Sequence, residues 1–430
     1  MKHLITILVI GLVISITILA QDNNDHDLNL ELEHTQIVNE IVEGSPGTSM
    51  ISPDGMLLAY ARDIGEGGIC IYNFDSLNTI CVPYPQENVN GDPIRFLDPD
   101  VLRWSPDSTM IAIETDSLRL LEDSDMWVFS VETGEYTNYT EDNYDGAIII
   151  SEEARNIPID ILPTWSASGD LYFVRYTDLG DSIYTTELHS IRNNAGTLEE
   201  PTRVVDLTNE TDQSFPFYNI SGGFSLDGSA AVSPDETRLV LLFRSTQSDE
   251  SDSIWIIDLQ NGQVLQRILF TQETYQLGLF EEEYYDELQS QGISWVDNNT
   301  LIMTAINKFV LSMTWQSYRI GLDNEEISAL FDFNDIVSLD DYFALDTDSP
   351  EPYFGILSPE RTHLIFANRP NLTAIGVGAV SINDGEMMNI STFEISEQRR
   401  IPALFASSGN NGEIYRTLLG GIVYTFRMTE

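Results

Sequence analysis

Ile51-Ser52-Pro53-Asp54-Gly55 leads directly into Met56-Leu57-Leu58-Ala59-Tyr60. An apolar residue, a Ser-Pro-Asp-Gly turn and an apolar run follow one another, and the succession returns along the chain. It reads Trp104-Ser105-Pro106-Asp107, Trp165-Ser166-Ala167-Ser168-Gly169, Val232-Ser233-Pro234-Asp235, Trp295-Val296-Asp297-Asn298 and Leu357-Ser358-Pro359-Glu360. Phe405-Ala406-Ser407-Ser408-Gly409 is a fainter seventh copy. Pro sets φ for the second position of a type I turn, Ser or Asp bonds the local backbone, and Gly suits the exit. Asp54, Asp107 and Asp235 therefore read as braces of turns rather than as ligands or catalysts.

Each turn precedes a short apolar run, among them Met110-Ile111-Ala112-Ile113, Leu171-Tyr172-Phe173-Val174 and Leu239-Val240-Leu241-Leu242-Phe243. Runs of four to six residues bounded by turn residues predict buried strands rather than helices. A second run follows in most copies (Ile69 to Phe74, Met126 to Val131, Ile254 to Leu259), and several end in a Gly turn such as Glu132-Thr133-Gly134 or Gln260-Asn261-Gly262. Gly supplies the positive φ of a tight hairpin. The unit is thus strand A, Ser-Pro-Asp-Gly turn, strand B, loop, strand C, Gly turn, strand D. Copies recur at intervals of about 48 to 67 residues, the order of spacing that marks propellers and arrays. Trp104, Trp165 and Trp295 share one repeat position and read as rings packed between neighbouring units.

The Ser-Pro-Asp-Gly phrase with its apolar strand resembles the TolB-type, WD-like β-propeller repeat over residues 45 to 430. The resemblance implies an all-β chain of four-stranded antiparallel blades around a central channel. It is specific for fold and silent on activity. Seven blades are expected, with six as the alternative. The last copy has room for strands A to C only, and residues 30 to 42 could supply its strand D. Pairing the two ends would close the ring and hide both edges.

The chain opens Met1-Lys2-His3 and then carries no charge from Leu4 to Ala20. This pattern predicts a secretory signal over 1–20, with a retained N-terminal anchor as the alternative, then an acidic leader over 21–29 and one propeller domain over 30–430. The expected location is extracellular or periplasmic. Cys70 and Cys81 are the two cysteines and fall on strands C and D of the first unit; a cross-strand disulfide is expected in an oxidising compartment.

Sixty-nine acidic residues face 20 basic ones, a net charge of −49. Only Lys2 and Lys308 are lysines. Nucleic acid and anionic membrane surfaces are excluded as partners, because both need basic clusters. The acids form a solvated coat or, more sharply, a platform for Ca²⁺ or a basic partner. The 42% hydrophobic and 10% aromatic content is ample for a packed core.

Long connections between strands D and A are expected at 83–101, 141–161, 207–229, 271–292 and 332–354, all on one face. Long connections of this kind carry function. Leu277, Phe280, Tyr284 and Leu288 have the spacing of an amphipathic helix. The candidate ligand-binding residues are Asp98, Asp100, Asp142, Tyr144, Asp145, Asp340, Asp341 and Tyr342. Asp142 to Gly146 has some character of a calcium loop but lacks its twelve-residue ligand set. No zinc pattern, Gly-x-Ser-x-Gly elbow or phosphate cradle is present, and carboxylates are too abundant to single out a glycosidase pair. The expectation is a non-catalytic, monomeric binding module for a protein, peptide or glycan. No cofactor is expected beyond possible Ca²⁺. The alternative is a carboxylate-based, Ca²⁺-dependent hydrolase or lyase.

Overall fold

The computed structural model describes residues 29–37, 49–62, 67–87, 99–115, 124–142, 157–180, 183–208, 215–216, 229–244, 253–269, 287–308, 313–324, 326–332, 353–358, 360–371, 374–385, 387–394, 403–409, 412–419 and 422–429. The expected signal, and the leader up to residue 28, lie outside these. Asn29 instead opens the first strand.

That strand is β1 (Asn29–Ile37). The first sheet is β2 (Ser49–Ile51), β3 (Leu57–Arg62), β4 (Gly68–Asn73) and β5 (Asn78–Pro83). The second is β6 (Pro99–Trp104), β7 (Met110–Thr115), β8 (Met126–Ser130) and β9 (Tyr136–Asn138). The third is β10 (Pro158–Trp165), β11 (Leu171–Gly180), β12 (Ile183–Ile191) and β15 (Thr202–Asp206), with the small hairpin β13 (Asn193–Asn194) and β14 (Thr197–Leu198) between the last two. The fourth joins β16 (Phe215–Pro216), β17 (Ala230–Val232), β18 (Arg238–Arg244), β19 (Ser253–Asp258) and β20 (Gln263–Leu269). The fifth is β21 (Glu287–Trp295), β22 (Thr300–Lys308), β23 (Met313–Gly321) and β24 (Glu326–Asp332). The sixth is β25 (Tyr353–Leu357), β26 (His363–Asn371), β27 (Ala374–Ser381) and β28 (Met387–Glu394). The seventh is β29 (Ala403–Gly409), β30 (Gly412–Leu419) and β31 (Ile422–Thr429), with β1 paired antiparallel to β31 as its fourth strand. The chain is all-β among its described residues, built of antiparallel sheets of four strands, or five in the fourth sheet.

The runs of β3, β4, β8 and β19 are apolar because both faces of the sheet are covered there. Side chains alternate along a strand. Ile111 and Ile113 of β7, with Trp127 and Phe129 of β8, pack toward the first sheet. Ala112, Met126 and Val128 pack toward Leu171, Phe173 and Ile191 of the third. The same sharing joins the third sheet to the fourth, the fourth to the fifth, and the fifth to the sixth. β25 contacts β29, and β29 contacts β2. Arg416 of β30 lies with its guanidinium 4.6 Å above the ring of Phe74 in the first sheet.

The repeated phrase works as a capped turn. Ser105 Oγ donates to Asp107 Oδ1 (2.6 Å) and accepts the Met110 N–H (2.9 Å); Ser233 repeats this with Asp235 (2.6 Å) and Arg238 (3.0 Å). Ser52, Ser105 and Ser233 are almost fully buried, so each hydroxyl needs these partners. Burial opposes ionisation of the Asp107 and Asp235 carboxyls, but the hydroxyl and amide donors outweigh it and hold both below the usual carboxylate range.

The repeat-position tryptophans latch as well as pack. Trp104 Nε1 donates to Met50 O (2.9 Å), Trp165 Nε1 to Arg103 O (2.9 Å) and Trp295 Nε1 to Ala231 O (3.0 Å), each time reaching the preceding sheet.

Two expectations need correction. The seventh phrase is not a turn: Phe405 to Gly409 lies within β29 and pairs with β30. It lacks the Pro that ends a strand in the stronger copies. Leu288 is not helical; it sits on β21 opposite Asn307, because β22 runs on to Lys308 and offers a partner for the extended chain. Leu277, Phe280 and Tyr284 lie outside the described residues.

Candidate functional site

Strands β7 and β9 end, and β8 and β10 begin, at one end of the second and third sheets. This is the end at which the long connections were expected. Four ionisable side chains converge there from apolar strand runs. Glu114 lies near the end of β7, Asp125 just before β8, Asp160 on β10 and Arg175 on β11. Glu114 and Asp160 are 0% exposed and Asp125 is 7% exposed. A charge in such a place persists only if paired or neutralised.

Asp160 is paired. It faces Arg175 across the β10–β11 ladder, and the guanidinium grips it with two bonds, Nε to Oδ1 and Nη2 to Oδ2, both 2.8 Å. The planar fork matches the carboxylate. The Arg175 guanidinium also lies 5.8 Å from the Phe173 ring centroid.

Glu114 serves the backbone of the neighbouring sheet. Its Oε2 accepts the Leu162 N–H at 3.0 Å. Leu162 has φ of 59° at a bulge in β10, so Glu114 holds a strained turn of the adjacent strand.

Asp125 is the odd member. Its Oδ2 accepts from Asn138 Nδ2 (2.7 Å) and its Oδ1 from Thr140 Oγ1 (3.3 Å), while Thr140 Oγ1 also accepts the Met126 N–H (2.8 Å). Burial pushes its carboxyl up, the Asn138 bond pulls it down, and the charges of Asp160, Asp142 and Glu141 push it up again, to about 7. The balance of these causes places Asp125 apart from the other acids of the cluster, at the end where β7 and β9 finish and β8 and β10 begin.

Of the residues singled out from sequence, Asp142 is half-buried beside this cluster and Asp100 lies on β6 at a register shift between Pro99 and Val101. Asp98, Tyr144, Asp145, Asp340, Asp341 and Tyr342 lie outside the described residues. Among the described residues no three acidic, His or Cys side chains are grouped to hold a metal ion. Cys70 and Cys81 face each other across β4 and β5 and are joined as a disulfide. Glu114, Asp125, Asp160 and Arg175 were missed by a reading that looked for acids in loops. The available signal was the opposite one: single charges in or beside apolar strand runs, as in Ile113-Glu114, Asp125-Met126 and Ile159-Asp160-Ile161.

No family model matches the chain, and no curated protein matches it. Among solved structures it is similar to Kuenenia stuttgartiensis hydrazine synthase, with 11% identity and a TM-score of 0.52 over 89% of this chain and 95% of that one. It is also similar to the Myceliophteria thermophila Cps50 (Swd1) β-propeller domain (10% identity, TM-score 0.47, 92% and 100% covered). A third is TolB from Acinetobacter baumannii (13% identity, TM-score 0.34, 86% and 79% covered). At these identities each is a likeness of fold alone, and none transfers an activity.

Proposed function

We propose that the chain is an exported, seven-bladed propeller that binds a protein, peptide or glycan on its long-connection face without transforming it. Closure of the ring by β1 and β31 is part of the proposal. It is supported by their eight-residue register (Asn29↔Thr429 to Ile37↔Ile422), by the β29–β2 contact and by Arg416 stacked on Phe74. The observation that carries the binding face is the buried carboxylate group at the β7–β10 end. With Glu141 and Asp142 beside it, acids outnumber the one guanidinium there, which favours ligands with cationic or hydrogen-bond-donating groups. A monomer in an oxidising exterior fits the net charge of −49 and the Cys70–Cys81 bond.

One observation favours a second reading, a carboxylate-based hydrolase or lyase: Asp125 titrates near the pH at which a general acid or base works best. The test joins both. N-terminal sequencing of exported material should begin at Gln21. A peptide and glycan array should give a ligand whose binding falls at least tenfold in Asp340→Ala, Asp341→Ala or Tyr342→Ala. Unchanged binding in all three would remove the face assignment. Product formed from the bound ligand by the wild type but not by Asp125→Asn would replace the binding reading with the enzymatic one.

A further inference from the structure

The seam between the second and third sheets is apolar in its middle and polar at its long-connection end. Hydrogen bonds among the described residues cross it there. Asp160 N donates to Ser124 O (2.8 Å), Ser124 Oγ donates to Asp160 O (3.0 Å), and Leu162 N donates to Glu114 Oε2 (3.0 Å). The anchor residue Ser124 is bonded directly to Asp125, whose carboxyl gathers Asn138 and Thr140 from the last strand of the second sheet and the segment after it. The anchor therefore sits one residue from that carboxyl.

Among the described residues, the groups whose charges act on or with Asp125 are Asp160 from β10, Arg175 from β11, and Glu141 and Asp142 after β9; Glu114 on β7 faces Met126, the residue after Asp125, and Glu187 on β12 also acts on Arg175. With Asp125 neutral, the buried Asp160 carboxylate is balanced by the guanidinium of half-buried Arg175. With Asp125 ionised, a second carboxylate shares that one guanidinium, and Asp160, Glu141 and Asp142 add like charge. A dry seam tolerates the first and resists the second.

We propose that this end of the seam is a proton-operated latch, tight in acid and loosened as Asp125 gives up its proton. Opening admits water to Asp125 and releases the proton to it; no other group changes its covalent state. The closed form binds this proton up to about pH 7, whereas a hydrated Asp keeps it only to about pH 4. Opening thus becomes easier by about tenfold per pH unit through that window and levels off above it. The latch holds the segment after β9 as far as it is described, through Thr140 to Asp142, so a pH change there alters the footing of that segment.

Hydrogen exchange followed by mass spectrometry on the full chain tests this, after correction for intrinsic exchange. Protection of peptides spanning Asp160 and Leu162 should fall about tenfold per unit from pH 5 to 7 and then hold steady. Protection around Ile293 and Trp295, in an apolar seam, should not follow. Asp125→Asn should make the Asp160 and Leu162 profile flat. If that variant fails to fold, Asp142→Asn removes one like charge and should move the levelling point to lower pH. The ¹³C carboxyl resonance of Asp125 in the wild type should titrate near neutrality. Protection independent of pH, an unaltered profile in Asp125→Asn, or an Asp125 resonance that titrates near pH 4 would each overturn the proposal.

Discussion

Replacing Trp295 by Phe removes one indole N–H and part of one ring from a site with no solvent exposure. The N–H donates to Ala231 O of the neighbouring sheet at 3.0 Å, and Ala231 is itself buried. Its carbonyl, deprived of the donor where water does not reach, should cost about 1–3 kcal/mol. The smaller ring should cost roughly 1–2 kcal/mol more, below the 3–5 kcal/mol of a full truncation. Arg238, whose guanidinium lies 5.3 Å from the ring, keeps an aromatic face to stack on. Its additional bond to Asn298 O is untouched. The expected loss is therefore about 2–5 kcal/mol. Trp165 makes the same bond to Arg103 O but is half-buried, as is Arg103, so water can replace the indole. Trp165→Phe should cost about 1 kcal/mol. Urea unfolding, with midpoint and slope compared between variants, gives both numbers. A Trp295→Phe loss under 0.5 kcal/mol, or a Trp165→Phe loss as large, would refute the idea that these rings hold neighbouring sheets together by a buried hydrogen bond.

Asp125 has a folded pKa near 7 against an ordinary 3.8, so the folded chain carries an extra proton between those values that unfolding releases. Global stability should decline as pH rises from about 4 to about 7, by at most about 4 kcal/mol, and stay level above; a urea series across pH checks this, and Asp125→Asn should remove most of the slope. Arg175→Met leaves Asp160 buried and uncompensated and should cost about 3–5 kcal/mol. The double variant Asp160→Leu with Arg175→Met should recover most of that loss, and failure to recover would mean that the pair does more than neutralise itself. Cys70 and Cys81 are separated by 11 positions, and opening so short a loop should lower stability by roughly 3 kcal/mol. Thiol titration of denatured, unreduced protein should detect no reactive sulfhydryl.

Much of the architecture could be read from local chemistry. Ser105-Pro106-Asp107 turns because Pro presets φ and the Ser and Asp side chains bond their own backbone. Where those residues are missing, in Phe405 to Gly409, the reading failed and the strand ran on. Leu288 failed for a different cause: helical spacing is weak information beside an extended partner in register, as β22 is for β21. The N-terminal strand was legible in the three-strand tail of the last copy, which calls for an edge partner.

The site was legible only in part. A loop acid and a buried acid have the same letter, and 69 acids hide the few that matter. Local propensity sets turns and strands, and those rest on neighbours within a few residues. Burial of Glu114, Asp125 and Asp160 rests on neighbours up to 48 positions away, such as Leu162 for Glu114. Repeat type, strand order within a unit and overall charge were thus written in the chain itself. Which carboxyls lose water, which one meets Arg175, and which one keeps a proton to neutrality followed from the packing of two sheets, because desolvation belongs to a place in space and not to a residue type.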